Sequence, residues 1–468
     1  MNRGPAHKPL VAVVGGGISG LSVAFWLLQK GMETIVLEQT HRPGGIIRSE
    51  GADGFLVDYA ANCLLNYLPE VNTLCDVVGT RDEQIYRSEA ARNRYLLKNG
   101  RPVRFPHGPL EFIGTNLWSM WGKVRLLSEP LIPRARSGED ETVSHFIRRR
   151  FGRETLDYIV EPFVGGSYAG NPSQMSLKST FPMLYTMEQR YGSLIIGAVL
   201  KRLRGSRASC PMHLFSFKQG METLPRAICQ YLGNRFIPNS RVAEIRINES
   251  NENYRFQIRV AGSGQYTTYN ADAVVIATPA IDAARLISPI DPLSSRILEG
   301  IEYSPMAVVY TGFKRDSVRH PLDGIGCMIP SKEGGSILGT LWNSTIFSER
   351  APEGMVALTN YLGGKRQPEM VDKTDEELMH LTMTDLKRIV GINSPPAFVH
   401  IVRHKQALPQ YSIGHQDIIK TLEGLQDRIP GLFFAGNYLS GISVRDCISH
   451  GTRLASRIAK KLEFTQTI

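Results

Sequence analysis

No stretch of the chain approaches the ~18–20 consecutive apolar residues that span a bilayer, so no membrane-crossing helix is expected. Cysteine is sparse. Cys63, Cys75, Cys210, Cys229, Cys327 and Cys447 are scattered with no CxxC pair. That spacing argues against a disulfide framework or a zinc site and fits a reducing cytoplasm. The first strand is expected about ten residues in, which leaves no stretch for a signal or transit peptide. Repeats, low-complexity tracts and nucleic-acid-binding modules are also missing. The last absence matters because the formal net charge is +10. With no nucleic-acid module to use it, a basic excess points to an anionic membrane or an acidic substrate.

What is present is an α/β composition: 42% apolar residues and 44 glycines in 468, enough chain for two or three domains. Val11-Ala12-Val13-Val14 is a short apolar block suited to a buried parallel strand. The turn Gly15-Gly16-Gly17-Ile18-Ser19-Gly20 follows it and opens an apolar helical stretch through Leu28. Gly15 permits the tight turn, Gly17 lets backbone approach a pyrophosphate, and Gly20 lets helix and strand pack closely. The helix start offers free N–H groups to the anion. A second strand, Thr34-Ile35-Val36-Leu37, ends in Glu38-Gln39. An acid there accepts hydrogen bonds from ribose hydroxyls. Residues 11–38 are therefore expected to bind the adenosine diphosphate moiety of FAD or NAD.

Arg42-Pro43-Gly44-Gly45 follows shortly. Adjacent glycines let backbone lie against a pyrophosphate, and the arginines are expected to balance its charge. Near the end, Gly431-Leu432-Phe433-Phe434-Ala435-Gly436-Asn437 reads as a strand entering a turn, and Gly441-Ile442-Ser443-Val444 opens a helix. Taken together, these motifs resemble the flavoprotein amine-oxidase superfamily and favour FAD, held non-covalently. The resemblance implies that the Ser443-Val444 helix start faces the flavin pyrimidine ring. A helix N-terminus there stabilises the negative charge of reduced flavin. It also matches Val242 to a backbone position at the adenine, although an ordinary strand valine fits equally. The strand meander 241–279 returns to the nucleotide-binding part at Ala277-Thr278, which join the cofactor residues.

Further blocks are similar to the protoporphyrinogen oxidase family, nearest its plant-type, oxygen-dependent branch. They are Glu161 to Pro172, Phe215 to Pro225, Leu338 to Ser344, Tyr361 to Gly364, and Gln406 to Tyr411 with Gly414-His415. The resemblance covers nearly the whole chain. It implies a Rossmann-like FAD-binding domain assembled from 1–90, 205–290 and 400–468. It also implies a mixed-sheet substrate domain at 291–399 and an inserted helical, membrane-associated domain at 91–204. It matches Arg94 to a propionate-pairing arginine, Gly166 to a backbone position close to substrate, and Met328, Leu341 and Tyr361 to residues that hold the tetrapyrrole faces. Two departures stand out: His404 where the family often has tryptophan beside the flavin, and Tyr59-Ala60-Ala61-Asn62 where it commonly has Gly-Pro-Asn.

The implied activity is oxidation of protoporphyrinogen IX to protoporphyrin IX. Six hydrogens leave in three flavin cycles, and three O₂ become H₂O₂. No side chain is expected to be catalytic, since the flavin does the redox chemistry. Implied partners are the porphyrinogen, O₂, a membrane surface on its cytoplasmic face touched through Trp118, Trp121, Lys123 and Arg125, a second copy of the chain, and a downstream heme-pathway enzyme. Coproporphyrinogen III is the alternative substrate. An amine oxidase, a carotenoid-type desaturase and a flavin-binding scaffold without turnover are the rival readings.

Overall fold

The computed structural model describes residues 9–135, 138–203, 213–248, 254–261 and 265–465, with side chains through 462. Cys210 lies outside the described residues.

The apolar block Leu10–Val14 is the central strand of a five-stranded parallel sheet, in the order Phe236–Ile237, Glu33–Leu37, Leu10–Val14, Ala273–Ile276, Leu432–Phe434. Its strands come from widely separated stretches of the chain. Both faces are buried, which explains the unbroken apolar runs. Val11 and Val13 point into one cluster with Leu21, Phe25, Ile448 and Leu454, packed by the helices Ile18–Gln29 and Val444–Thr465. Ala12 and Val14 point into another with Ile245, Phe256, Ile258 and Leu286.

A seven-stranded sheet lies beside it, in the order Phe398–Pro409, Tyr303–Lys314, Met355–Gly363, Ile337–Leu341, Gly324–Met328, Asn93–Lys98, Arg101–Arg104. Every pairing is antiparallel except Gly324–Met328 with Asn93–Lys98. Residues 93–104 fall in a stretch expected to be mostly helical. They form strands because their side chains alternate. Tyr95 and Leu97 enter the core beneath helix Asp375–Val390, and Leu96 packs on the opposite face with Leu117 and Trp118. Residues 400–409, expected with the nucleotide-binding segments, belong to the strand Phe398–Pro409 at the far edge of this sheet.

Between Pro109 and Leu203 the described residues are mostly helical. Its interior is held by charge as well as by apolar contacts. Arg150 is fully buried, donating to Glu188 at 2.7 Å and to Glu129 at 3.0 Å. Glu129 also accepts the first amides of helix Leu194–Leu203, from Leu194 at 3.0 Å and Ile195 at 3.2 Å. Removing one partner would strand a buried charge, so the three residues fix how these helices meet. No helix among the described residues is long and apolar enough to cross a membrane.

Candidate active site

The glycine turn takes the shape its sequence demands. Gly15 has φ +109°, and a Cβ there would meet the Ala277 carbonyl at 2.9 Å. A Cβ at Gly20 would stand 2.0 Å from the Gly15 carbonyl oxygen, so only glycine allows this closeness of helix and turn. Gly17 differs: a Cβ there would meet nothing within 4 Å, because the residue faces an open cavity. Helix Ile18–Gln29 starts at Gly17 with no side-chain cap, so its first amides remain free for an anion. Gly44, at φ +104°, bridges to Gly17, and its amide donates to the Gly16 carbonyl at 2.8 Å. The two glycine motifs thus form one backbone cradle.

That cradle is the wall of a cavity of about 910 Å³. Gly15, Gly17, Ile18, Ser19, Glu38, Gln39, Gly44, Gly45, Val242, Ala277, Thr278, His404, Gly436, Asn437, Ser443 and Val444 all line it. Four expected cofactor residues stand behind the wall instead. Gly16 turns its amide to Glu38 at 2.6 Å, and Gly20 is sealed under the turn. Gly441, at φ +125°, sits over Asp446. Arg42 folds back on its own turn, donating to the carbonyls of Gly45 at 2.8 Å and Ile47 at 3.2 Å. Arg48 pairs with Glu50 at 2.7 Å. Arg42 therefore braces the second glycine motif and Arg48 is paired with Glu50, which leaves the charge of a pyrophosphate to backbone amides and the helix start.

The residues present fit FAD. Gly17 keeps clear the space a Cβ would fill, and Thr278 Oγ1 is buried with no hydrogen-bond partner. Glu38 presents both carboxylate oxygens, already ordered by Gly16 and by the Thr40 amide at 2.8 Å. Beside the flavin end, His404 Nε2 donates to the Tyr59 carbonyl at 2.8 Å. The unusual turn after Asp58 is well anchored. Asn62 Nδ2 donates to the Tyr361 hydroxyl at 2.8 Å and to the Ala60 carbonyl at 3.3 Å. Asp58 is itself buried, accepting from Ser49 at 2.6 Å and from the Met221 amide at 2.8 Å.

Of the expected substrate residues, Gly166 and Tyr361 line the cavity, and Arg94, Met328 and Leu341 do not. The sheet nevertheless puts Arg94, Met328, Leu341 and Tyr361 on one face. Leu96 pairs with Met328, Met328 with Gly339, and Gly339 with Tyr361. Arg94 and Leu341 lie two residues along from that row and so point the same way. Met328 packs against the cluster of Leu96, Leu117 and Trp118, and Leu341 against that of Ala91, Ile346 and Phe347, while Arg94 is exposed.

Sequence reasoning missed Tyr59, Ala60, Cys63, Met306, Val308 and Gln406, which also line the cavity. Pairing explains two of them: Met306 is the cross-strand neighbour of His404, and Val308 of Tyr361. Burial pushes the Cys63 thiol up to about 12 and the Cys447 thiol up to about 11. Burial thus favours the neutral thiol at both positions.

Residues 18–459 match the family described as flavin containing amine oxidoreductase. The chain is 32% identical to protoporphyrinogen oxidase 2, chloroplastic/mitochondrial, of Arabidopsis thaliana, over 97% of this chain and 94% of that one. It is 28% identical to the coproporphyrinogen III oxidase of Bacillus subtilis (strain 168), over 97% and 98%. A solved structure from Exiguobacterium sp. 255-15, provisionally named a protoporphyrinogen oxidase, superposes with TM-score 0.80 at 24% identity, covering 97% of this chain and 99% of that one. With the glycine cradle, the ribose acid and the C-terminal helix start around one cavity, the chain belongs to the flavin-containing amine oxidoreductases and is an FAD-dependent oxidoreductase.

Proposed function

We propose that the protein oxidises protoporphyrinogen IX to protoporphyrin IX with O₂ as final acceptor, with coproporphyrinogen III as the alternative substrate. Its relatives include enzymes named for each. One observation carries the reading. Arg94, Met328, Leu341 and Tyr361 share a sheet face that opens, at Tyr361, onto the flavin cavity. The Arg94 and Tyr361 strands stand three strand spacings apart, about 14 Å, which suits a flat macrocycle held at both ends.

The residues of this chain would bind and orient. The Arg94 guanidinium has no hydrogen-bond or ion-pair partner among the described residues, so it is free to take a propionate in two parallel hydrogen bonds. Met328, Leu341 and the Tyr361 ring offer apolar surface to vinyl-bearing pyrroles. Gly166 leaves room at the junction, since a Cβ there would meet nothing within 4 Å. Bound FAD supplies two-electron oxidation, and aromatisation of the macrocycle drives it. Six hydrogens leave the porphyrinogen, and three O₂ become three H₂O₂. One matched guanidinium favours the dicarboxylate, because a tetracarboxylate would bring charges without partners.

The proposal extends to the cytoplasmic face of a membrane. The helices Pro109–Gly114 and Met120–Leu127 and the turn Glu129–Leu131 expose Leu110, Ile113, Met120, Trp121, Val124, Leu127 and Leu131. An apolar patch of this kind, in a chain of charge +10, suits an anionic surface. The expected anchor changes in detail. Trp121 is 81% exposed, but Trp118 is 5% exposed and donates to Thr155 at 3.0 Å. Arg125 caps the end of helix Val143–Phe151 through the Arg149 and Arg150 carbonyls.

The test is growth of porphyrin fluorescence in air with each porphyrinogen at matched concentration. Faster turnover of protoporphyrinogen is expected. Equal or faster turnover of coproporphyrinogen would reverse the substrate assignment. Failure of both porphyrinogens to bleach the flavin anaerobically would end the reading.

A further inference from the structure

The segment Gln410-Tyr411 has no place in the site so far, yet it touches the part of the chain on which the flavin end depends. Tyr411 is 2% exposed, and its ring is stacked on His415 with centroids 4.4 Å apart. Its hydroxyl closes the turn that carries Asn437 to Gly441. It donates to the Asn437 carbonyl and accepts from the Gly441 amide at 2.9 Å. Gly441 stands at φ +125°, a conformation that needs outside support to be unique. A third tie, from His415 Nε2 to the Tyr438 carbonyl at 2.8 Å, pins the middle of the same turn.

On one side of this turn, Gly436 and Asn437 line the cavity; on the other, Ile442 and Ser443 do, just before helix Val444–Thr465. The backbone of Tyr411 is also held, since its carbonyl accepts the Ser176 amide at 2.7 Å. Its neighbour Gln410 donates to the Tyr168 carbonyl at 3.0 Å, at the end of the helix that carries Gly166. The hydroxyl is therefore a fixed point between two cavity-lining segments.

We propose that Tyr411 is a positioning residue: its hydroxyl sets where the start of the C-terminal helix stands relative to the flavin, and through it how strongly reduced flavin is favoured. The inference concerns the cofactor side and does not depend on which porphyrinogen is oxidised. A helix N-terminus favours nearby negative charge only within its first turn, so a small displacement weakens the effect. Reduction places that charge on the cofactor, and Tyr411 acts on it only through the Asn437–Gly441 turn.

Tyr411→Phe keeps the ring on His415 and removes only the hydroxyl. The neighbouring Tyr438→Phe is the control, because the Tyr438 hydroxyl is buried with no hydrogen-bond partner and its loss breaks nothing. The measurements are the FAD dissociation constant by fluorescence titration and the reduction potential of the bound flavin, with a thermal melt of each variant. For Tyr411→Phe the constant should rise about tenfold. Reduced flavin should lose about tenfold in relative stabilisation, a fall of roughly 30 mV for a two-electron couple. Tyr438→Phe should leave both within twofold of the parent. Equal behaviour of the two variants would overturn the assignment. So would a Tyr411→Phe protein that no longer folds, since Tyr411 would then be structural.

Discussion

The Glu38 carboxylate accepts the Gly16 amide at 2.6 Å, joining the phosphate turn to the ribose acid across 22 residues of chain. The bond explains why Gly16 itself does not face the cavity, and it gives Glu38 two tasks. It should accept ribose hydroxyls, and it orders the turn that holds the pyrophosphate. Glu38→Ala therefore should cost about 1.5–3 kcal/mol of FAD binding, a roughly 10–100-fold rise in Kd. Fluorescence titration of apoprotein with FAD checks this, and a Kd within threefold of the parent would refute both tasks.

Gly166 separates substrate from cofactor effects. Its missing Cβ faces open cavity, whereas that of Gly20 would collide with the Gly15 carbonyl. Gly166→Val should fold, keep its FAD and show an ordinary flavin spectrum, while KM for porphyrinogen rises by roughly tenfold or more, about 1.4 kcal/mol. Gly20→Ala should instead lose FAD during purification. Unchanged KM in Gly166→Val would place the substrate elsewhere.

Much of this was legible before the structure because the phosphate cradle is local. Gly15, Gly17, Gly20 and Glu38 follow from strand, turn and helix within thirty residues; the glycines that face the cavity do so through backbone, and Glu38 does so through its carboxylate. What stayed hidden depends on pairing between distant strands. Nothing in the sequence sets Met306 beside His404 or Val308 beside Tyr361; that register arises only when the seven-stranded sheet forms. Arg42 misled for a different reason. An arginine beside two glycines has the right chemistry for a phosphate, yet nearer carbonyls of its own turn claim it. Residues 93–104 sit at the start of a stretch that reads as mostly helical and basic, and their strand pairing with Gly324–Met328 comes from a segment more than 200 residues away.

Acid should loosen the cofactor end of the molecule. Burial depresses His415 to about 4, against about 6.5 when unfolded. Between those values the unfolded chain binds a proton that the folded chain does not, so stability falls as pH drops from about 6.5 towards 4. The full difference is worth roughly 3 kcal/mol for this group. His450 is depressed in the same direction, by burial and then by Arg453 and Arg457. Thermal melts from pH 7.5 to 4.5 should show a steady fall in Tm, and His415→Asn should flatten part of it. A parent Tm independent of pH across that window would contradict the buried neutral histidine.

The exposed patch around Trp121 should bind membrane. Fully burying a large apolar side chain is worth about 1.5–3 kcal/mol, so partial insertion of Trp121 and Leu131 gives measurable affinity. Co-sedimentation with anionic vesicles should occur at low salt and weaken at high salt. Replacing both residues by glutamate should lower the bound fraction at least ~tenfold without changing turnover of a soluble porphyrinogen. Trp118→Phe, a core change, should alter stability and leave vesicle binding alone. Equal binding by the parent and the double variant would remove this patch from consideration.

Arg94 carries the substrate end of the argument. Both of its neighbours are fixed to one carboxylate: Asn93 donates to Asp323 at 2.9 Å and the Tyr95 hydroxyl does so at 2.7 Å. The strand is thus held rigid on either side of a guanidinium that no described residue engages. Such an arrangement aims a cation without spending it, and a propionate is the group it fits. If the pair is worth about 1.5–3 kcal/mol, Arg94→Ala should lower kcat/KM by ~10–100-fold. The loss should fall on KM, because the contact is present before oxidation begins. Arg94→Lys should recover only part of it, since an ammonium cannot form the two parallel bonds. A porphyrinogen dimethyl ester, lacking the charge, should be turned over equally by parent and Arg94→Ala. If the variant instead discriminates against the ester as strongly as against the free acid, Arg94 contributes to folding of the strand and not to recognition of the carboxylate.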